Sequence, residues 1–179
     1  MKKDRDNILS LGLRYLILVA VAIPNFFLFY FVFTPLTIYP VYFFLGLLFD
    51  VSFLSNIVIL VEGSLPIELI EACIAGSAYY LLLILNLSTP SLKLKTRIYA
   101  IGFSFAAFLI INILRIFVLS MIAVLGLSFF DITHKVFWYL ISTLFVVAVW
   151  FTEVKIFKIK FIPIYSDLKS LYNKSNLKK

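Results

Sequence analysis

Three residues carry the chemistry open to this chain: Cys73, Arg115 and His134, a thiol, a guanidinium and an imidazole set in an almost wholly apolar sequence. A thiolate is a strong nucleophile. His134, the only histidine, is the one side chain whose ordinary pKa suits a proton shuttle near neutrality. It would take the thiol proton and later protonate a leaving amine. Arg115 offers a fixed fork of donors, suited to an oxyanion or to a substrate carbonyl or carboxylate in a dry site. Brought together, these are the parts of a cysteine acyl-transfer site, so the expectation is a membrane-embedded thiol peptidase or transpeptidase. The single cysteine excludes an intramolecular disulfide. One Cys and one His do not fill a zinc site, so no metal and no cofactor is expected. No GxSxG, HExxH, CxxC or phosphate-loop pattern is present.

Each residue has a blander reading beside the chemical one. Cys73 is expected near the start of a helix, where unpaired N–H groups lower a thiol pKa. Gly76 and Ser77, three and four positions on, would share its face and let a substrate backbone approach. The alternative is an inert membrane cysteine. An arginine inside an apolar run is costly and calls for a partner or a polar cavity. Ser104, Phe108, Asn112 and Arg115 recur at helical spacing, a stripe that would turn Arg115 into a bundle, whereas snorkelling would carry it to headgroups. His134 is either the base or a surface residue on a connection. Asp131 would orient the imidazole or cap a helix.

Positioning these groups requires a bundle. With 63% hydrophobic and 14% charged residues and a mean hydropathy of +1.08, the 179-residue chain is expected to be an all-α integral membrane protein. About four transmembrane helices fit its length, with an outer interfacial or re-entrant helix and a short extracytoplasmic hairpin. A single membrane-embedded domain would occupy 1–155, and a basic cytoplasmic tail 156–179. The expected spans are Tyr15–Phe33, kinked at Pro24-Asn25, then one ending at Leu87, one from Arg97 to Leu119 or beyond, and one from about Lys135 to Phe151. The first resembles an uncleaved signal anchor. Thr34 to Asp50, broken by Pro35 and Pro40, reads as the interfacial helix. The hairpin would pair Ile57–Val61 with Ile67–Ile70 around Glu62-Gly63-Ser64, unless a helix starts at Pro66.

Every basic residue except Arg115 and Lys135 lies in the N-terminal flank, the break at Lys93–Arg97 or the tail. The positive-inside rule assigns these segments, and both termini, to the cytoplasm. The net charge of +7 is thereby explained without nucleic acid. Asp50, Glu62, Glu68, Glu71 and Asp131 fall on the opposite face, as do the three chemical residues. The expected location is the plasma membrane, multi-pass, with an extracytoplasmic site.

Glu71-Ala72-Cys73 followed by a helix with small residues, then Asn112-Ile113-Leu114-Arg115-Ile116, then His134 at the head of the last helix, resembles the exosortase/archaeosortase family of membrane cysteine transpeptidases. The resemblance covers about Thr34 to Phe151, with the Cys, Asn-x-x-Arg and His blocks in order. It implies a catalytic triad of Cys73, Arg115 and His134. The implied substrates are secreted proteins bearing a C-terminal motif, a transmembrane helix and a basic tail, which are cleaved and transferred to a lipid or other surface acceptor. Many members have Cys-Ser-Gly or Cys-Thr-Gly where this chain has Cys73-Ile74-Ala75-Gly76, and its compact size is similar to that of small archaeal members. Two other classes stay open. One is a non-catalytic assembly subunit of a surface-protein or polysaccharide system, with Asn112 and Arg115 binding a partner helix. The other is a small anion transporter with Arg115 lining the path.

Overall fold

The computed structural model describes residues 2–23, 27–89, 92–137 and 141–159, with the side chains of 2–10 and of Asp131 outside that description. Among the described residues the elements run in the order α1 (Lys2–Ala22), α2 (Phe27–Gly46), β1 (Val51–Ser55), β2 (Val58–Val61), β3 (Leu65–Glu68), α3 (Glu71–Ile74), α4 (Gly76–Leu87), α5 (Leu94–Val124), α6 (Phe130–Val136) and α7 (Ser142–Ile156). Among the described residues, α2 and α5 are long and apolar enough to cross a membrane. The protein is thus mostly helical, with a small sheet beside the helices. Pro24-Asn25, the expected kink, and most of the expected tail at 156–179 lie outside the described residues.

The helices pack antiparallel in sequence. Arg14 reaches the end of α4 at Leu87, Tyr80 donates to the Leu18 carbonyl, and Phe33 stacks on Tyr79 at 3.7 Å, so α1 and α2 ascend as α4 descends. α5 ascends beside α4, with Ser104 near Asn86 and Asn112 near Cys73. α7 then descends, from Ser142 at Arg115 to Glu153 at Ser104. Aromatic and aliphatic side chains fill the centre: Tyr79 is fully buried and meets the Phe108 ring edge-on at 5.0 Å.

Two sequence expectations are corrected. Thr34–Asp50 does not form a separate interfacial or re-entrant helix, because α2 continues through Pro35 and Pro40 to Gly46. Both prolines leave the packed stripe Phe29, Phe33, Thr37, Ile38, Val41 and Leu45 undisturbed, and a helix tolerates the lost bonds when its other face is anchored by neighbours. The protein is also not all-α. The expected hairpin is present as β2 and β3, but β1 joins it in an antiparallel sheet of order β1-β2-β3. Positive φ at Glu62 and Gly63, 51° and 63°, gives the β2–β3 turn the twist a tight hairpin requires. Pro66 therefore lies in a strand and starts no helix.

Polar groups tie the far end of the bundle. Arg97 donates to the carbonyls of Asn86, Leu87 and Thr89 at 2.9, 2.8 and 2.8 Å, and Arg14 reaches Leu87 at 2.9 Å. These carbonyls end α4 and lack helical donors, so the two cations also meet the negative end of its dipole. Glu153, fully buried, accepts from Asn86 at 3.1 Å and from Ser104, joining α7 to α4 and α5. Glu153→Leu removes the charged acceptor shared by two buried donors, leaving Asn86 to the Leu82 carbonyl and Ser104 to the Ala100 carbonyl. It should destabilise the protein by about 1–3 kcal/mol, whereas Glu153→Gln, which keeps an acceptor oxygen, should stay near the parent. Thermal unfolding midpoints in detergent compare the two.

Candidate active site

The loop from β3 into α3 delivers the thiol. Leu69 donates to the Ile57 carbonyl at 2.9 Å, holding the end of β3 on the sheet, and α3 begins two residues later. Cys73 is the third residue of α3, a single turn that ends at Ala75 in the left-handed region (φ 60°, ψ 46°). A non-glycine residue in that region costs energy and survives only where surroundings impose it. Here α4 restarts at once, with Ala78 donating back to the Ala75 carbonyl at 2.9 Å. That bond withdraws Ala78 N–H from the Ile74 carbonyl, its partner in an unbroken helix. Asn112 of α5 takes up the slack, its Nδ2 donating to the Cys73 carbonyl at 2.9 Å and lying 3.5 Å from that of Ile74.

Arg115 lies one turn beyond Asn112 on the same face of α5. It is 6% exposed, and one terminal nitrogen donates to Ser142 Oγ at 2.8 Å while its Nε has no hydrogen-bond partner among the described residues. Ser142 is fixed in turn by donating to the Phe137 carbonyl at 2.6 Å. His134 occupies the last turn of α6, half-buried, its ring stacked on Phe130 at 5.6 Å and 8°. α6 ends at Val136 and α7 begins at Ser142, and residues 138–140 between them lie outside the described residues.

Cys73, Arg115 and His134 all line one cavity of about 360 Å³. Its remaining walls are Leu65–Ile70, then Ile116, Leu119, Ser120 and Ala123 of α5, and Phe130. The stripe Ser104, Phe108, Asn112 and Arg115 is buried throughout, so Arg115 faces the bundle and does not snorkel.

Other expectations fail for identifiable reasons. Gly76 and Ser77 do not line the cavity, and the break at Ala75 interrupts the helical spacing that would have aligned them with Cys73. Gly76 instead admits the Tyr30 ring, which a Cβ would approach to 2.8 Å, and Ser77 is exposed away from the cavity. The helix start does not bring the thiol below its ordinary pKa. The Cys73 and Ile74 amides both donate to the Ile70 carbonyl, at 2.8 and 3.3 Å. Burial pushes the thiol above its ordinary value; the Arg115 charge and the Ile70 backbone counter that rise, and Glu68 adds to it. The Asp131 side chain lies outside the described residues.

Sequence reasoning missed Ser142, which holds Arg115, and Ser120, whose buried hydroxyl lines the cavity with no hydrogen-bond partner among the described residues. A solitary serine in an apolar helix gives no signal, since it commonly bonds its own backbone. No cluster of three metal-ligating side chains occurs among the described residues. No protein-family model, curated protein or solved structure matches this chain.

The electrostatics fix a pH profile. Alkylation of Cys73 needs the thiolate, so its rate should climb with pH to a midpoint above that of an ordinary thiol. Arg115→Gln removes the charge that favours thiolate, so the midpoint should move higher still and the rate at neutral pH should fall. Iodoacetamide labelling followed by mass spectrometry across pH measures both.

Proposed function

We propose that this chain is a membrane-embedded cysteine peptidase or transpeptidase of exosortase/archaeosortase type. The observation that carries this reading is the single cavity shared by Cys73, Arg115 and His134. Nucleophile, cation and base come from three separate helices, α3, α5 and α6, around a largely apolar cavity wall.

In this reading His134 takes the thiol proton, and the sulfur attacks a substrate peptide carbonyl. The carbonyl oxygen gains charge as the C–S bond forms and is stabilised by Arg115, whose Nε has no acceptor among the described residues. Collapse breaks the C–N bond, His134 returns the proton to the departing amine, and a thioester remains on Cys73. An incoming nucleophile, water or an acceptor on a lipid or other surface anchor, then releases the acyl group and regenerates the thiol. Burial keeps the thiol protonated at rest, so deprotonation is coupled to substrate engagement.

The membrane arrangement belongs to the same proposal. α1 with α2, α4, α5 and α7 make four crossings, with α3, the sheet and α6 on the extracytoplasmic side and both termini in the cytoplasm. The capped end of α4, with Arg14 and Arg97, then meets the cytoplasmic headgroups. Substrates are secreted proteins with a C-terminal motif, a transmembrane helix and a basic tail, presented laterally to the cavity.

The test is processing of a secreted reporter bearing such a C-terminal segment, taken from the same genome and co-expressed with the full chain. Cys73→Ser should abolish shortening of the reporter while the protein stays inserted, and His134→Gln should slow it by about 10²–10⁴-fold. Full processing by Cys73→Ser would return the chain to the non-catalytic assembly class.

A further inference from the structure

The cavity has an unusual wall. Leu65, Pro66, Ile67, Glu68, Leu69 and Ile70 all line it. A strand that turns one face to a cavity contributes alternate residues, because side chains alternate across a sheet. Consecutive residues of both parities mean that the edge of the strand, its backbone, forms the wall. The sheet order agrees: β2 covers one side of β3, no strand covers the other among the described residues, and no residue of β2 lines the cavity.

Register shows which backbone groups the edge presents. Leu69 donates to Ile57, and on the other side of β2 Glu62 donates to Asp50. Both bonds set the same alternation: Ile57, Ile59 and Val61 turn toward β3, where their partners are Leu69, Ile67 and Leu65. Pro66 and Glu68, opposite Leu60 and Val58, therefore point their backbone groups away from β2. Pro66, with no N–H to lose, fits that position. The free edge thus offers the carbonyls of Pro66 and Glu68 and the N–H of Glu68, and five residues past Glu68 the chain reaches Cys73. Two further groups in the cavity lack partners among the described residues although more than nine-tenths buried: Arg115 Nε and Ser120 Oγ, at 6% and 3% exposure. They call for a ligand with carbonyl-type acceptors. The exposed Glu68 side chain beside them favours a ligand without acidic groups at that position.

We propose that the substrate enters as an extended peptide that adds a fourth strand to the sheet, pairing with the outer edge of β3 through Glu68 and Pro66 and so carrying a peptide carbonyl to Cys73 and Arg115. This deepens the peptidase reading and rests on it. The edge recognises backbone, so main-chain bonds supply affinity while alternate side-chain positions supply selectivity. The two bonds at Glu68 fix the register, and Pro66 forbids a donor that would otherwise permit a shifted one.

The test uses the full chain in detergent and two reagents with one warhead, Ac-Val-Val-Val-Ala chloromethyl ketone and chloroacetone. With each, the Cys73 sulfur displaces chloride, an S–C bond replaces C–Cl, and the thiol proton passes to buffer. The readout is the ratio of the two alkylation rates, so changes in thiol reactivity cancel. Glu68→Pro removes the outward N–H without touching the β2–β3 ladder, and should cut the ratio by about tenfold, the ratio cancelling whatever loss of the Glu68 charge does to the thiol itself. Glu68→Gln, which keeps the N–H, should retain the ratio.

Independently of any variant, N-methylation at successive peptide positions of the reagent should slow wild-type labelling with a period of two. An unchanged ratio in Glu68→Pro, or equal effects of N-methylation at both parities, overturns strand addition. If reporter processing needs Cys73 while the edge proves irrelevant, only this proposal falls. If the edge governs labelling but Cys73→Ser still processes the reporter, the groove stands and the peptidase reading falls.

Discussion

The hydrogen bond from Asn112 Nδ2 to the Cys73 carbonyl is the constraint on which the site depends. It spans α5 and the α3–α4 junction at the point where Ala75 breaks the helix, and it satisfies a carbonyl group in a setting where an unpaired one is costly. Because Asn112 and Arg115 are one turn apart on α5, the bond that fixes the backbone of the cysteine also fixes the distance from the guanidinium to the sulfur. The Asn-x-x-Arg spacing is therefore a geometric device, in which one residue grips the main chain so that the next faces the side chain. Ser142 completes it from α7, holding the other end of the guanidinium.

The same logic recurs at the opposite end of the bundle. Asn86, Ser104 and Glu153 join α4, α5 and α7 through buried polar bonds, as Asn112, Arg115 and Ser142 join α3, α5 and α7 near the cavity. Apolar side chains slide past one another at little cost, so in so greasy a chain the relative height of the helices is set by these few directional contacts. Ser104 and Asn112 sit two turns apart on a single stripe of α5. One helix therefore carries both sets of ties.

What the sequence revealed is what periodicity encodes. The stripe Ser104, Phe108, Asn112 and Arg115 was legible because a helix interior repeats every three to four residues, and all four are buried. The end of α4 at Leu87 was legible from the Ser-Thr-Pro stop, and the β2–β3 turn from Glu62-Gly63-Ser64. The continuity of α2 through Pro35 and Pro40 was not, because the compensation comes from helices distant in sequence. Nor was the break at Ala75, since nothing in Cys-Ile-Ala-Gly marks alanine as left-handed; the demand arises from Asn112 and the Tyr30 ring against Gly76. β1 was hidden for a similar reason, as Val51–Ser55 is apolar enough to pass for part of a neighbouring helix. That Cys73, Arg115 and His134 share a cavity required the packing of three helices, which local pattern cannot supply.

The end of α4 is gripped from both directions along the chain, by Arg14 made well before it and by Arg97 made just after. The nearer arginine closes its contact through a short loop. The earlier one must wait at the surface until some seventy residues later its acceptor emerges, since its bond to Leu87 spans 73 positions. During synthesis this tie between the amino-terminal helix and α4 therefore forms only once Leu87 has been made, whereas the Arg97 tie spans ten positions.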